Sequence, residues 1–281
     1  MAQVFVYNAD VSIKHRFAFV GLFKQHIRAV PVIAAAHWSF SIGGSVRYPL
    51  ILTLNDLRAF PAQTWTCPLA CASADPLLGQ AEWRGVPLAA LLAEVELLPT
   101  AEHVSVYSAD GYRASLTLER LRGALLAYAM DGQLLPPEHG FPARLIVPGL
   151  YGYKMPKWVT HIRLGGAPAP GFWEARGWPE AGLVRPTAAL REAQAAPNGD
   201  LVISGVAYAG GREVGVEVSL DHGDWTPAEV ARVDSGWTRW QAIWTPTAGG
   251  DVLCRVRATD ASGSVQSKPH STILRIVQER A

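Results

Sequence analysis

The run from His139 to Trp158, HGFPARLIVPGLYGYKMPKW, constrains this chain more than any other stretch. Leu145, Ile146 and Val147 form a short apolar run that Pro148 and Gly149 end, which predicts a brief core strand. His139 and Arg144 precede that strand, and Lys154 and Lys157 follow it. A strand that delivers cations at both ends, with Gly149 and Gly152 allowing close backbone approach, suits an anionic ligand such as a phosphate. The same residues also describe a solvated loop with ordinary surface lysines, and spacing alone leaves the two readings level.

A length of 281 residues is long for one hydrophobic core and comfortable for two. With 49% hydrophobic and 17% charged residues the composition is globular, and a net charge of +1 lacks the basic excess that phosphate-backbone binding requires, so no nucleic-acid partner is expected. Ten tryptophans and twenty prolines lean towards β-rich structure with many turns. Three cysteines, Cys67, Cys71 and Cys254, are too few for a disulfide framework and odd in number, so at least one thiol is free. No window approaches the ~20 apolar residues of a membrane span. Lys14-His15-Arg16 before Phe17–Phe23, with Ala34-Ala35-Ala36 downstream, imitates a secretory signal. Lys24, His26 and Arg28 interrupt it, so a soluble cytoplasmic or periplasmic protein is the expectation.

Residues 1–37 show no sustained period and are expected to be irregular. From Trp38 the pattern predicts a strand, a Gly43-Gly44 turn, a second strand around Leu50 to Leu54 and a short helix capped by Asn55. Pro87 to Glu94 reads as a helix, His103 to Tyr107 as a strand, and Leu118 onward as a helix ending near Ala124 before a strand-like LLAYAM. Gly165 to Asp200, rich in Gly, Pro and Ala, marks the boundary region. Beyond Leu201 five short alternating segments with turns at His222-Gly223-Asp224 and Gly249-Gly250 predict an antiparallel sandwich of immunoglobulin-like shape, with Cys254 in its core. The expected organisation is an irregular segment 1–37, a domain 38–185 and a β-sandwich 186–281.

The opening stretch also resembles the core signature of the sulfite oxidase family of molybdopterin oxidoreductases. The matching positions are Asp131-Gly132, Leu135-Pro136, His139-Gly140, Pro142, Arg144, Val147-Pro148-Gly149, Gly152 and Lys157-Trp158. Further matches are Trp38, Ile42, Gly44, Val46, Pro49 and Leu50; Trp83, Gly85, Val86, Pro87 and Leu88; Leu126-Ala127-Tyr128; and Gly171-Phe172-Trp173 with Arg176-Gly177-Trp178. The resemblance implies an α+β fold class, a sulfite-oxidase-type mixed α/β molybdopterin-binding domain followed by an all-β sandwich that serves dimerisation.

It also implies the chemistry, an oxygen-atom transfer at a molybdenum-molybdopterin cofactor whose metal takes one cysteine thiolate, a soft donor that the metal keeps deprotonated. Pro61 and Cys71 stand ten positions apart, as in the family, and Leu69-Ala70-Cys71-Ala72 resembles its L-x-C-A, so Cys71 is preferred as metal ligand over Cys67. Strand alternation would place both thiols on one face. By resemblance Ser108, His139, Arg144 and Lys157 hold the pterin and its phosphate, with the backbone of Met155 and Pro156 beside them, and Tyr112 is an active-site tyrosine near the metal-bound oxygen. The family's arginine after the cysteine is replaced by Ser73, Ala74 and Asp75, and its Arg-Asn-His group near the N-terminus by Phe23-Lys24-Gln25-His26. A doubly charged sulfite needs cations around it, so three readings stay open: oxidation of sulfite or a related small sulfur compound, reduction of a sulfoxide of the protein-methionine type, and a non-catalytic relative. The chain has no C-x-x-C-H haem motif, so a separate electron-transfer protein, a cytochrome or quinone-linked carrier, is the expected partner.

Overall fold

In the computed structural model, residues 2–5, 29–72, 77–232 and 236–278 are described. The chain divides into two compact units, one reaching to Leu183 and one beginning at Val184. The second takes in the N-terminal strand β1 (Ala2–Phe5), which pairs antiparallel with the last strand of the chain. That strand corrects the expectation of irregularity: four residues are too short for a period to register, and only a partner strand elsewhere in the chain reveals them.

The first unit contains β2 (Ser39–Gly44), β3 (Leu50–Thr53), α1 (Leu54–Ala59), β4 (Gln63–Ala70), β5 (Leu77–Pro87), α2 (Leu88–Ala93), β6 (His103–Ser108), β7 (Arg113–Thr117), α3 (Leu118–Arg122), β8 (Leu125–Met130), β9 (Gln133–Leu134), β10 (Arg144–Ile146) and β11 (Val159–Gly165). They make two sheets. One has the order β10-β8-β5-β4, with β9 on β8, and every pair is antiparallel. The other has the order β3-β2-β11-β6-β7, with β2 and β11 parallel. Residues of both sheets and of the three helices share one core that includes Ile42, Leu57, Leu91, Val106, Leu121, Leu126, Leu145 and Ile162. Strand β8 is buried almost end to end, which explains its unbroken apolar sequence, because a strand covered on both faces has no solvent side to alternate towards.

The three α-helices of the described residues are only five or six residues long, so the unit is mostly β and the expected α share of an α+β class is small. Helices this short lean on caps and packing instead of propensity. The cap of α1 is Thr53, not Asn55. Thr53 Oγ1 accepts from the Asp56 N–H (3.3 Å) and Asp56 accepts from the Thr53 N–H (2.9 Å), a reciprocal capping box.

The second unit also carries β12 (Thr187–Ala195), β13 (Leu201–Tyr208), β14 (Val214–Leu220), β15 (Thr226–Pro227), β16 (Glu229–Arg232), β17 (Thr238–Trp244), β18 (Gly250–Asp260) and β19 (His270–Gln278). Its sheets run β1-β19-β18-β14-β15 and β12-β13-β17-β16. Inward residues from both, among them Leu190, Ile203, Val216, Trp240, Cys254 and Leu274, form a single core. β13 and β18 alternate buried and half-buried positions, the signature of strands with one covered face. At Gly205 a Cβ would lie 2.1 Å from the Ala189 carbonyl oxygen and 2.6 Å from the Trp240 ring, so glycine there lets the indole close over the sheet.

Candidate functional site

The opening stretch of the sequence forms a tightly closed knot. A 3-10 turn, Pro137–His139, ends at Gly140, whose φ of +109° lies in the region that favours glycine. A Cβ at Gly140 would stand 3.0 Å from the Cβ atoms of both Arg144 and Lys157, so the bare glycine is what lets those two side chains spring from one spot. Leu145 N–H donates to the Pro156 carbonyl (2.9 Å), Val159 N–H to that of Ala143 (2.9 Å), and Ala109 N–H to that of Trp158 (2.9 Å). The last bond ties the turn after β6 to the segment that carries Lys157. Ser108, His139, Arg144 and Lys157, far apart in sequence, are thereby assembled in one neighbourhood, with Met155 buried beneath.

All four are buried. Arg144 donates to the His139 carbonyl (3.2 Å), and its guanidinium lies 4.8 Å from the centre of the Trp83 ring. Burial pushes its pKa down to about 10, against a pull from Cys67 in the other direction. Lys157 donates from Nζ to the Glu138 carbonyl (2.6 Å). Burial first and Arg144 second bring its pKa down to about 7, while Asp110 and Glu138 act the other way. His139 is shifted down by burial, then by Arg144 and Lys157, so its ring is disposed to be neutral. Burial lowers all three, and Arg144 adds to the effect at Lys157 and His139, an arrangement that an incoming anion relieves. The Ser108 hydroxyl is buried and has no hydrogen-bond partner among the described residues. Beside it a cleft of about 400 Å³, lined by His37, Trp38, Ser41, Ala109, Thr160 and His161, has the volume of a small-molecule site.

Several expectations change. Cys67 lies in β4, is 3% exposed and is electrostatically coupled to Arg144; burial pushes its thiol up to about 12 and Arg144 pulls it down. Cys71 stands just past the end of β4, half-buried, and residues 73–76 beyond it lie outside the described residues. β4 ends at Ala70, and where its register shifts between Leu69 and Ala70 the extra residue lies in β5, so Cys71 stands outside the strand whose alternation relates it to Cys67. Tyr112 is fully buried and donates its hydroxyl to the Tyr153 carbonyl (2.5 Å), which binds the turn after β6 to the Gly152–Lys154 turn. With that donation made, the Tyr112 oxygen keeps lone pairs that can accept a further hydrogen bond. Lys154, expected to offer its charge to an anion, is instead paired with Glu174 in the interior. The Pro156 carbonyl is occupied by Leu145 and the Met155 N–H by the Gly152 carbonyl (3.0 Å), so these backbone groups brace the knot. Phe23-Lys24-Gln25-His26 and Ser73-Ala74-Asp75 lie outside the described residues.

Sequence reasoning did not single out Trp83 as a support for Arg144. Its place in the Trp83-Gly85-Val86-Pro87-Leu88 match was the available signal.

The model of the family described as oxidoreductase molybdopterin binding domain matches residues 27–173. YuiH of Bacillus subtilis, an uncharacterized oxidoreductase, is 32% identical over 143 residues, which cover 50% of this chain and 72% of that protein. The mitochondrial sulfite oxidase of Macaca fascicularis is 28% identical over 294 residues, covering 80% of this chain. The match takes in 52% of the macaque protein, so this chain spans about half the length of that relative. Among solved structures, the sulfane dehydrogenase SoxCD from Paracoccus pantotrophus superimposes with a TM-score of 0.72 at 24% identity, over 89% of this chain and 80% of that one, a likeness of fold.

Proposed function

The chain belongs to the sulfite oxidase family of molybdopterin-binding oxidoreductases, and from that premise we propose that it transfers an oxygen atom to or from a small sulfur compound. The observation that carries this reading is the buried cluster of His139, Arg144 and Lys157 beside the unpartnered Ser108 hydroxyl. Those residues fit a phosphate-bearing cofactor. Arg144 presents a planar fork that can donate parallel hydrogen bonds to a phosphate, and Trp83 holds that fork flat from its ring face. Lys157 adds a point charge, Ser108 a hydroxyl and His139 a ring nitrogen. Bound there, molybdenum-molybdopterin would supply the two-electron redox chemistry, and the polypeptide would supply position and field.

The same reading places a thiolate at the C-terminal end of β4. Spacing favours Cys71, which stands half-buried just past the end of β4. At Cys67 burial outweighs the pull of Arg144 and pushes the thiol up to about 12, which disfavours a thiolate. We therefore keep Cys71 as the metal ligand, with Cys67 as the alternative. The experiment is to express the protein in a host that makes the cofactor and measure molybdenum together with sulfite oxidation and sulfoxide reduction. About one molybdenum per chain is expected, lost in Cys71→Ser and kept in Cys67→Ser. The reverse pattern moves the ligand to Cys67, and no metal in the parent protein overturns the reading.

A second reading of the substrate has its own support. Lys154 is neutralised by Glu174, so it adds no positive charge for a sulfite dianion. That favours an uncharged sulfoxide over sulfite, and relative rates on the two substrates decide between them. For the C-terminal unit the proposal is an immunoglobulin-like sandwich that forms a homodimer, checked by light scattering; a separate one-electron carrier completes the cycle.

A further inference from the structure

We infer that the indole N–H of Trp83 is a further hydrogen-bond donor to the phosphate-bearing cofactor. This inference rests on the reading of His139, Arg144 and Lys157 as that cofactor's site.

Trp83 is 1% exposed, and its Nε1 is a buried donor with no partner among the described residues. Elsewhere the protein satisfies such groups. The buried indoles of Trp38, Trp158 and Trp240 donate to the carbonyls of Val159 (3.0 Å), Pro137 (2.7 Å) and Val206 (3.2 Å). A buried N–H without a partner carries its full desolvation cost in the ligand-free fold. An exception of this kind beside a ligand site points to an acceptor on the ligand.

The sheet aims Trp83 at the basic cluster. It lies in β5, opposite Trp65 of β4 on one side and Met130 of β8 on the other. Arg144 of β10 stands opposite Ala127 of β8, and Ala127 stands opposite Gly85 of β5. Side chains this small leave the guanidinium free to cross towards β5, where it lies 4.8 Å from the centre of the Trp83 ring. The register shift between Arg84 and Gly85 places the extra residue, Tyr128, in β8, and a bulge of that kind re-aims the side chains beside it. A Cβ at Gly85 would lie 2.2 Å from the Leu126 carbonyl oxygen, so glycine is required where the two strands close on each other. His139 lines one small cavity together with Trp83, Leu69 and Met130. An indole donates in the plane of its ring, so the guanidinium takes the ring face and leaves the N–H for another partner. A group that engages Arg144 and His139 together therefore meets Trp83 as well.

The test is Trp83→benzothienylalanine, an isostere that keeps the shape of the indole and puts sulfur in place of the N–H. The protein is made in a host that synthesises the cofactor, and release of the pterin is followed by the fluorescence of its oxidised form in the filtrate. Release is expected to be about ten-fold faster than from the parent, the worth of one hydrogen bond. The urea midpoint of the same variant made without cofactor is expected not to fall, because the fold loses no bond. Should that variant not fold, Trp83→Phe replaces it. It is judged against Leu57→Ala, a core truncation in α1 that is expected to lower the midpoint while leaving release within about two-fold of the parent. Release that is unchanged without the N–H overturns the inference, and a lowered midpoint alongside it assigns the N–H to the fold itself. A parent protein that carries no pterin overturns the cofactor reading instead, so the two failures are distinguishable.

Discussion

Lys154 and Lys157 stand three residues apart, both almost wholly buried, yet their surroundings are opposite. Around Lys154 the protein supplies its own counter-charge in Glu174 and closes the site with Ser115. Around Lys157 burial and Arg144 drive the ammonium towards its neutral form, and the pull of Asp110 and Glu138 in the other direction does not offset them. The first environment is complete without a ligand. The second is arranged to the disadvantage of the ligand-free fold, and a bound anion removes that disadvantage. Burial of a lysine therefore does not by itself indicate function; the sign of what surrounds it does.

Substitutions should separate the two environments most sharply through stability. Glu174→Gln strands Lys154 and is expected to destabilise the fold by about 3–5 kcal/mol, read from urea unfolding; an effect under about 1 kcal/mol would mean that water reaches the pair. Lys157→Met, in the protein prepared without cofactor, is expected to move the other way and stabilise by about 1–3 kcal/mol at neutral pH, because it removes a charge that burial disfavours. Destabilisation by Lys157→Met would erase the contrast.

The pH dependence sharpens the same comparison. The folded pKa of Lys157, about 7, lies below its ordinary value of 10.5. Between those values the unfolded chain holds a proton that the folded one has released, so ligand-free stability should rise with pH across that window. An anion such as sulfate is expected to bind the protonated form, so its affinity should fall as pH climbs above about 7, by up to roughly ten-fold per unit, and Lys157→Met should flatten the profile. An affinity that stays constant from pH 6 to 9 would remove Lys157 from the anion site. The smallest effect is expected at Tyr112→Phe, which deletes the bond to the Tyr153 carbonyl at a cost of about 1 kcal/mol. Turnover should stay within a few-fold of the parent, whereas a loss of a hundred-fold or more would mark Tyr112 as a catalytic group.

The sequence was informative where local pattern and local chemistry coincide. Leu145-Ile146 is a core strand, LLAYAM is a buried one, and the alternating segments after Leu201 are the strands of two sheets around a common core. The basic residues of the opening stretch were visible as candidates for the same reason. Misreadings came where a partner distant in the chain decides the outcome. β1 needs β19, and Lys154 is claimed by Glu174.

By itself, then, the sequence determined the kinds of residue available, the short apolar strand that carries Arg144, and the glycines at which the backbone can turn or be approached. Only the tertiary structure decided how different the surroundings of two nearby lysines are. That difference depends on Glu174 lying twenty positions away from Lys154 in the chain and on Arg144 thirteen positions before Lys157. Electrostatic coupling in a desolvated interior acts through distance in space, and no pattern along the chain records it.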